Sequence, residues 1–314
     1  MVRLLKSASP DAAPPSPSDA IAQGIALRIA AAGLFSIMSA LLKLASTDHV
    51  TAPELVFYRG LFGLPVVLIW VLTTQGVHTL KTERPWAHVF RSALGITGIM
   101  LNFQALTMLS LADATTIGFT APIFATLLSI LFLKEKVGRH RWTAVVLGFL
   151  GVLVMVRPGA EGAPPLAGLL FALGGAFVAA AVTVTLRQLG KTESATAIVF
   201  WFFVACATVG GVLTLIDGHN HSWAVLAILA AGGLAGGLAQ LLMTTSLQHA
   251  PVSALAPLDY LQMVGAVVLG WLLLSDAPTL ATLAGAALIA GSGLYTAWRE
   301  RVLRREITPP SPSV

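Results

Sequence analysis

Charge is what this sequence has least of. Asp, Glu, Lys and Arg together make up 11% of its 314 residues, against about 25% in an ordinary soluble domain. So few charges cannot cover the surface of a water-soluble fold this large, which excludes soluble enzymes and nucleic-acid-binding proteins alike. Cysteine is nearly missing. The single Cys206 rules out a disulfide framework and any cysteine-ligated zinc or iron–sulfur site. No GxxxxGK[ST] run occurs, which excludes ATP-driven work by this chain alone, and no HExxH pair is present for metal hydrolysis within a bilayer. The seven histidines fall in loops or at the ends of apolar runs, with His219–Asn220–His221 reading as a solvated external loop. Of the fourteen acids only Asp259 lies well inside an apolar run, so the paired carboxylates of aspartyl chemistry are missing too. An enzyme is not expected, and neither is a cofactor or a resident metal.

Long apolar runs are abundant instead: AVILMFWYC supply 56% of the chain and mean hydropathy is +0.83. A spanning helix needs about 20 mostly apolar residues bounded by charge, proline or turn residues. On that rule ten spans are predicted: Ile21–Ala45, Pro53–Thr73, Trp86–Leu109, Ala112–Leu133, Trp142–Val156, Leu166–Leu186, Ala195–Ile216, Trp223–Leu247, Pro251–Leu274 and Thr279–Trp298. An even count puts both ends on one face, and that face collects fifteen of the nineteen Lys and Arg, Arg91 counted among them, while the other holds Arg157 alone. The positive-inside rule makes the basic face cytoplasmic, so both termini are expected there, in a bacterial-type inner membrane. The net charge of +5 is then explained without nucleic acid. Trp86, Trp142, Trp223 and Trp298 fall at span ends, where indoles prefer the headgroup level. Residues 1–20 lack the apolar run of a secretory leader and read as a disordered cytoplasmic tail, and 299–314 as a basic one.

The chain also repeats itself. At an offset of 141 residues Leu106 falls on Leu247, Phe119 on Tyr260, Leu133 on Leu274 and Glu135 on Asp276, while Pro122 falls on Met263. Five spans per unit, 21–157 and 166–298 with an external linker at 158–165, invert the second unit relative to the first. Inverted repeats of this kind are characteristic of secondary transporters. The runs FTAPIFATLLSILFLKEKVGRHRWTAVVLGFLGVLVMVRPG and APLDYLQMVGAVVLGWLLLSDAPTLATLAGAALIAGSGLY, with FYRGLFGLP in the second span, resemble the EamA units of the drug/metabolite transporter superfamily. The resemblance implies an all-α integral membrane protein of ten transmembrane helices, built as two inverted five-helix EamA-type repeats. Its cavity would lie between spans one, three, four, six, eight and nine. Met263, Asp276 and Asp259 depart from the family's pattern, where proline, glutamate and an uncharged residue are usual. The expected activity is export of small amphipathic metabolites, above all neutral or aromatic amino acids, by alternating access, near the family's aromatic amino-acid exporters. The alternative is import of a vitamin or nucleoside-like metabolite of the riboflavin or S-adenosylmethionine type. The partners implied are a small-molecule substrate and the lipid bilayer, with no ATPase subunit and an oligomeric state the sequence leaves open.

Polar side chains at membrane depth are costly and therefore candidates for function. Asp259, about 12 Å into the ninth span at 1.5 Å per residue, suits a substrate ammonium or a coupling proton, and a structural ion pair equally well. Gln262 shares its face, while Tyr260 points about 100° away. Pro257 and Pro122 remove backbone hydrogen bonds and read as kinks or hinges. Thr116 and Thr120 on the fourth span, Asn102 and Gln104 on the third, and Gln240 and Thr244 on the eighth are substrate contacts or interhelical glue. Arg28 lies near a span end, where it can snorkel outward. Lys43 and Arg59, with Glu54 and Asp113 at similar depth, read as an ion-pair cluster at the outer gate or as carboxylate-binding cations. GGLAGG at 232–237 is a small-xxx-small face for close helix approach, as are Gly148, Gly151, Gly285 and Gly293 on the fifth and tenth spans.

Overall fold

The computed structural model describes residues 17–133, 139–157, 164–250 and 255–307. Expectations for residues 1–16, Lys134, Lys136, the link 158–163, the start of the ninth span at 251–254 and the end from 308 lie outside the described residues. The helices are α1 Pro17–Ala45, α2 Ala52–Trp70, α3 Pro85–Met108, α4 Leu111–Gly118, α5 Ala121–Leu133, α6 Arg139–Val156, α7 Leu166–Leu189, α8 Ala195–Asp217 and α9 Trp223–His249. A 3-10 segment, Ala256–Tyr260, then leads into α10 Leu261–Leu274, and α11 Leu280–Ile307 follows. Among the described residues seven segments are long and apolar enough to cross a membrane, and Leu111–Ala125, Val145–Val156 and Leu280–Tyr295 form shorter apolar helices. Two boundaries differ from the sequence reading. Helix α1 begins at Pro17, with Asp19 in its first turn, where a negative charge favours the helix N-terminus. Helix α11 runs on to Ile307, because the basic run beyond the apolar stretch holds no helix breaker before Pro309.

Serine and threonine start several helices by giving orphan N–H groups an acceptor. Ser110 Oγ accepts from Asp113 N at 2.9 Å, Ser194 Oγ from Ala197 N at 3.0 Å, and Thr51 forms a reciprocal capping box with Glu54. The outer surface carries large apolar side chains, Ile69, Leu72, Leu166, Leu215 and Leu280 among them, and the four span-end tryptophans are exposed. A surface this apolar is a lipid-facing one.

Packing follows a pseudo-two-fold pattern. Helix α1 packs on α9 as α3 packs on α7, and α10 packs on α1 as α5 packs on α7, while α2–α8 and α6–α11 are the pairs that cross the axis. The 141-residue offset relates Gly148 to Ile289 and Gly151 to Ser292. A Cβ at Gly148 would meet Ser292 Oγ at 3.2 Å and one at Gly151 would meet Ile289 at 2.8 Å, so equivalent residues pack crosswise. In the α2–α8 pair Gly60 lies on the backbone of Ala207 and Gly210 on that of Phe57. Within GGLAGG the two faces divide: Gly232 and Gly236 accept Leu42 and Met38 of α1, and Gly233 and Gly237 accept Phe62 and Gly63 of α2. The ends match as well. Gly24 packs on His249 and Ala250, and Gly168 packs on Met108 and Leu109, the pair 141 residues earlier.

The face that carries the start of α1, here the terminal face, is tied by Glu193. This buried carboxylate between α7 and α8 accepts at Oε1 from Thr82 Oγ1 at 3.0 Å, Glu83 N at 3.0 Å and Arg84 N at 3.2 Å. Its Oε2 lies 3.3 Å from His88 Nε2. Burial pushes this carboxyl's pKa up, but the hydrogen bonds from Glu83 N–H, His88 and Thr82 more than offset that and hold it below its ordinary value. Its contribution to stability is therefore complete above the ordinary carboxylate pKa and drains away as pH falls through the lower folded-state value. Glu193→Gln is expected to remove that acid-side loss, measured as the change in thermal midpoint between pH 7 and the acid limit of the purified protein. An unchanged slope would show that the carboxylate carries none of it.

Candidate functional site

The fourth and ninth spans are both broken, at matching places. Pro122 has no N–H to give the Gly118 carbonyl, and its ring would collide with that carbonyl in an unbroken helix. Accordingly α4 stops at Gly118 and α5 starts at Ala121, joined by the 3-10-type bond from Thr120 N to Ile117 O at 2.9 Å. In the other half Pro257 opens the 3-10 segment that precedes α10. Pro122 thus marks the end of a helical segment instead of bending a continuous one, and Pro257 stands at the start of a 3-10 segment. The breaks meet. Phe119 and Tyr260, equivalents under the 141-residue offset, pack ring against ring with centroids 5.2 Å apart. A residue can touch its own equivalent only at the symmetry axis, so this pair lies on the axis. Tyr260 also fills the space over Gly293 of α11.

The residue before Tyr260 carries an ion pair that the sequence reading split in two. Arg28 Nε and Nη2 donate to Asp259 Oδ1 and Oδ2, both at 2.6 Å, and Nη1 reaches Met243 O at 3.5 Å. Arg28 does not snorkel outward: its side chain is 11% exposed and that of Asp259 28%, because packing of α10 on α1 brings a carboxylate within reach. The planar fork makes the pair bidentate and links α1, α9 and the break before α10. At the opposite face the equivalents are Gly118 for Asp259 and, counted from the Gly24–Gly168 match, Ala172 for Arg28. No charge pair stands there, and Ala172 packs in an apolar cluster with Leu109, Leu111, Ala114, Ile117 and Leu169.

The expected outer cluster of Lys43, Arg59, Glu54 and Asp113 does not form among the described residues. Lys43 Nζ donates to Leu106 O at 2.5 Å and Leu109 O at 2.7 Å, capping the last carbonyls of α3. Glu54 is buried and accepts from Thr51 N at 2.7 Å and His219 N at 2.7 Å, with His221 Nε2 at 2.9 Å. His221 is therefore packed against α2 and is not solvated. Asp113 Oδ1 accepts from Thr282 Oγ1 of α11 at 2.8 Å. Arg59 is left with Met38 Sδ at 3.1 Å, a weak acceptor, and its Nε is buried without a partner. It lines a narrow crevice between α1, α2 and α9, walled by Met38, Leu42, Leu55, Tyr58 and Leu229. Since Lys43 has carbonyl partners, Lys43→Met is expected to lower the thermal midpoint, at about 1.5–3 kcal/mol per lost charged hydrogen bond, while leaving the KM for transport unchanged. A raised KM would return Lys43 to the binding site.

The remaining candidates divide between packing and the centre. Asn102 Nδ2 donates to Gly98 O at 2.9 Å and its amide rests on Gly175, so it joins α3 to α7. Gln104 is half-buried on another face. Thr244 bonds Gln240 O of its own helix at 2.8 Å, and Thr120 bonds Ile117 O at 2.7 Å. Gln240 and Thr116 are buried, and the Thr116 hydroxyl has no hydrogen-bond partner. Gln262 is half-buried, and its carbonyl lies 3.5 Å from Ser36 Oγ.

Arg91 is the residue the sequence reading missed. Taken there as a charge of the basic face, it is 4% exposed inside α3, with its guanidinium 3.8 Å over the Phe202 ring and Nε and Nη1 unpartnered. A signal was present: Arg91, Gly95, Gly98 and Asn102, spaced four, three and four, lie along one face of small residues.

Two inverted, broken-helix halves meeting at a central axis define a multi-pass membrane carrier. The model of the EamA-like transporter family matches residues 22–157 and again 166–297, and the chain belongs to that family. Among its curated relatives, the S-adenosylmethionine uptake transporter of Rickettsia conorii is 28% identical over 248 residues, 79% of this chain and 83% of the relative. The pseudopaline exporter of Pseudomonas aeruginosa is 29% identical over 275 residues, covering 86% and 94%. The riboflavin transporter of Rhizobium johnstonii is 30% identical over 253 residues, covering 80% and 81%. A solved crystal structure, 20% identical, superposes with a TM-score of 0.65 over 90% of this chain and 99% of its own, a likeness of fold.

Proposed function

We propose that this transporter exports small amphipathic metabolites, neutral and aromatic amino acids first, across a bacterial inner membrane, with both termini cytoplasmic. The observation that carries the reading is the aromatic pair Phe119–Tyr260 where the two broken spans meet. Aromatic rings on the axis suit a solute with an apolar body and a small polar head. Alternating access is rocking of the two halves about that axis, and the fifteen-to-one bias of basic residues supports the orientation. Opening the terminal face separates α1 from the ninth span and so breaks Arg28–Asp259. A proton on Asp259, or a solute ammonium competing with Arg28 for it, lowers that cost. A second reading, uptake of a vitamin or nucleoside-like metabolite, is favoured by what two relatives are named for. Both are tested by uptake into proteoliposomes of purified protein, with labelled aromatic and aliphatic amino acids beside riboflavin, with and without a proton gradient. Saturable amino-acid counterflow supports export, flux of riboflavin alone replaces it with the second reading, and flux only with a gradient makes Asp259 the coupling site.

A further inference from the structure

We infer that Arg59, with Arg91 behind it, is the anion anchor of this carrier, the station that takes the carboxylate of a largely apolar solute. Basic side chains inside the helix bundle find partners elsewhere: Arg28 has Asp259, and Lys43 has two carbonyls. Arg59 and Arg91 have none among the described carboxylates. Arg59 Nη1 rests on a thioether and its Nε is buried and unbonded, while Arg91 is buried over Phe202 with two unbonded nitrogens. A guanidinium withdrawn from water without a counter-charge is among the costliest arrangements a membrane protein keeps, and its planar fork is shaped for a carboxylate.

Placement points to a solute and not to a neighbouring helix. Arg59 lines the crevice, where Gly232 and Gly233 let α9 approach closely and Met38, Leu42 and Leu229 supply apolar wall. Arg59 stands seven residues into α2 and Arg91 six into α3, and those helices start from opposite faces. At 1.5 Å per residue both lie about 10 Å in, one on each side of the midplane. A carboxylate drawn to Arg59 therefore stays in a positive field as it crosses. This deepens the transport reading and rests on it.

The test separates binding from flux. Thermal midpoints of the detergent-purified protein are titrated with phenylalanine, phenylalaninamide and 4-phenylbutyrate, and flux of the first two is followed in proteoliposomes. The acids are expected to stabilise the wild type at concentrations at least tenfold lower than the amide. Arg59→Gln should abolish that preference, Arg59→Lys should keep part of it, and Arg91→Gln should weaken it several-fold. Should Arg59→Gln fail to fold, the wild-type comparison of acid with amide and the Arg59→Lys titration decide. Equal stabilisation by acid and amide, no stabilisation by either acid, or a full acid preference in Arg59→Gln overturns the anchor. Acid-selective binding without amino-acid flux leaves the anchor standing and sinks the amino-acid reading, and flux indifferent to the carboxylate does the reverse.

Discussion

Asp259→Asn is expected to unlatch the terminal face. The substitution keeps the shape of the side chain and removes the charge that Arg28 grips through two 2.6 Å bonds. Breaking one partner of a buried ion pair costs roughly 3–5 kcal/mol; with Asp259 28% exposed, the low end applies, about a hundredfold in the closed-to-open balance. A reporter at Ala250→Cys, where the end of α9 covers Gly24, reads this through an impermeant thiol reagent, since Cys206 is buried and silent. Labelling should accelerate by about a hundredfold in Asp259→Asn and fall back in the swapped pair Arg28→Asp with Asp259→Arg. The swap exchanges the charges and keeps the attraction. Labelling at the wild-type rate in Asp259→Asn would mean that the pair does not hold this face closed.

Gly60→Val is expected to be the most damaging single change in the core. A Cβ at position 60 would lie 2.8 Å from Ala207 Cα and closer still to the amide nitrogen, so it collides with backbone and not with a side chain that could turn aside. Overpacking costs typically about 1–3 kcal/mol where side chains can adjust, and two helix backbones in contact must instead separate. Helices α2 and α8 cross the pseudo-two-fold axis, so parting them loosens both halves. The expected outcome is loss of monodisperse protein in gel filtration and a large drop in thermal midpoint. Gly33 is the internal control: a Cβ there meets nothing within 4 Å. Gly33→Ala should leave the protein intact or stabilise it by roughly 0.5–1 kcal/mol, through removing a flexible residue from a helix interior. If the two substitutions behave alike, close helix approach is not what the α2 glycine provides.

The spans, their pairing into repeats and the two breaks were legible because each has a local cause. Twenty apolar residues make a span, and a proline in mid-run ends a helical segment at Gly118. Even the contact at the centre was foreshadowed, since Phe119 and Tyr260 were matched by offset before the structure brought their rings together. What was not legible depends on which helix lies beside which. Arg28 and Asp259 are 231 residues apart, and only the packing of α10 on α1 makes one the partner of the other. Lys43 was read against carboxylates at its depth, but the carbonyls that end α3 were nearer. Arg91 was counted with its neighbours in sequence, Lys81 and Arg84, although about two helical turns separate the loop charge Arg84 from the buried Arg91.

The two ends of the molecule hold together by different means. One is latched by Arg28 and Asp259; at the other Leu109, Ile117, Leu169 and Ala172 form an apolar cluster, with Lys43 bonded to the Leu109 carbonyl and no charge pair at the equivalent positions. Separating apolar surfaces carries a large positive heat-capacity change, and such contacts weaken on cooling, whereas an ion pair exposes little apolar surface when it parts. Cold should therefore loosen one closure and spare the other. If the two halves rock as proposed, the low-temperature population is expected to gather in the state that is latched at the terminal face and open at the opposite one.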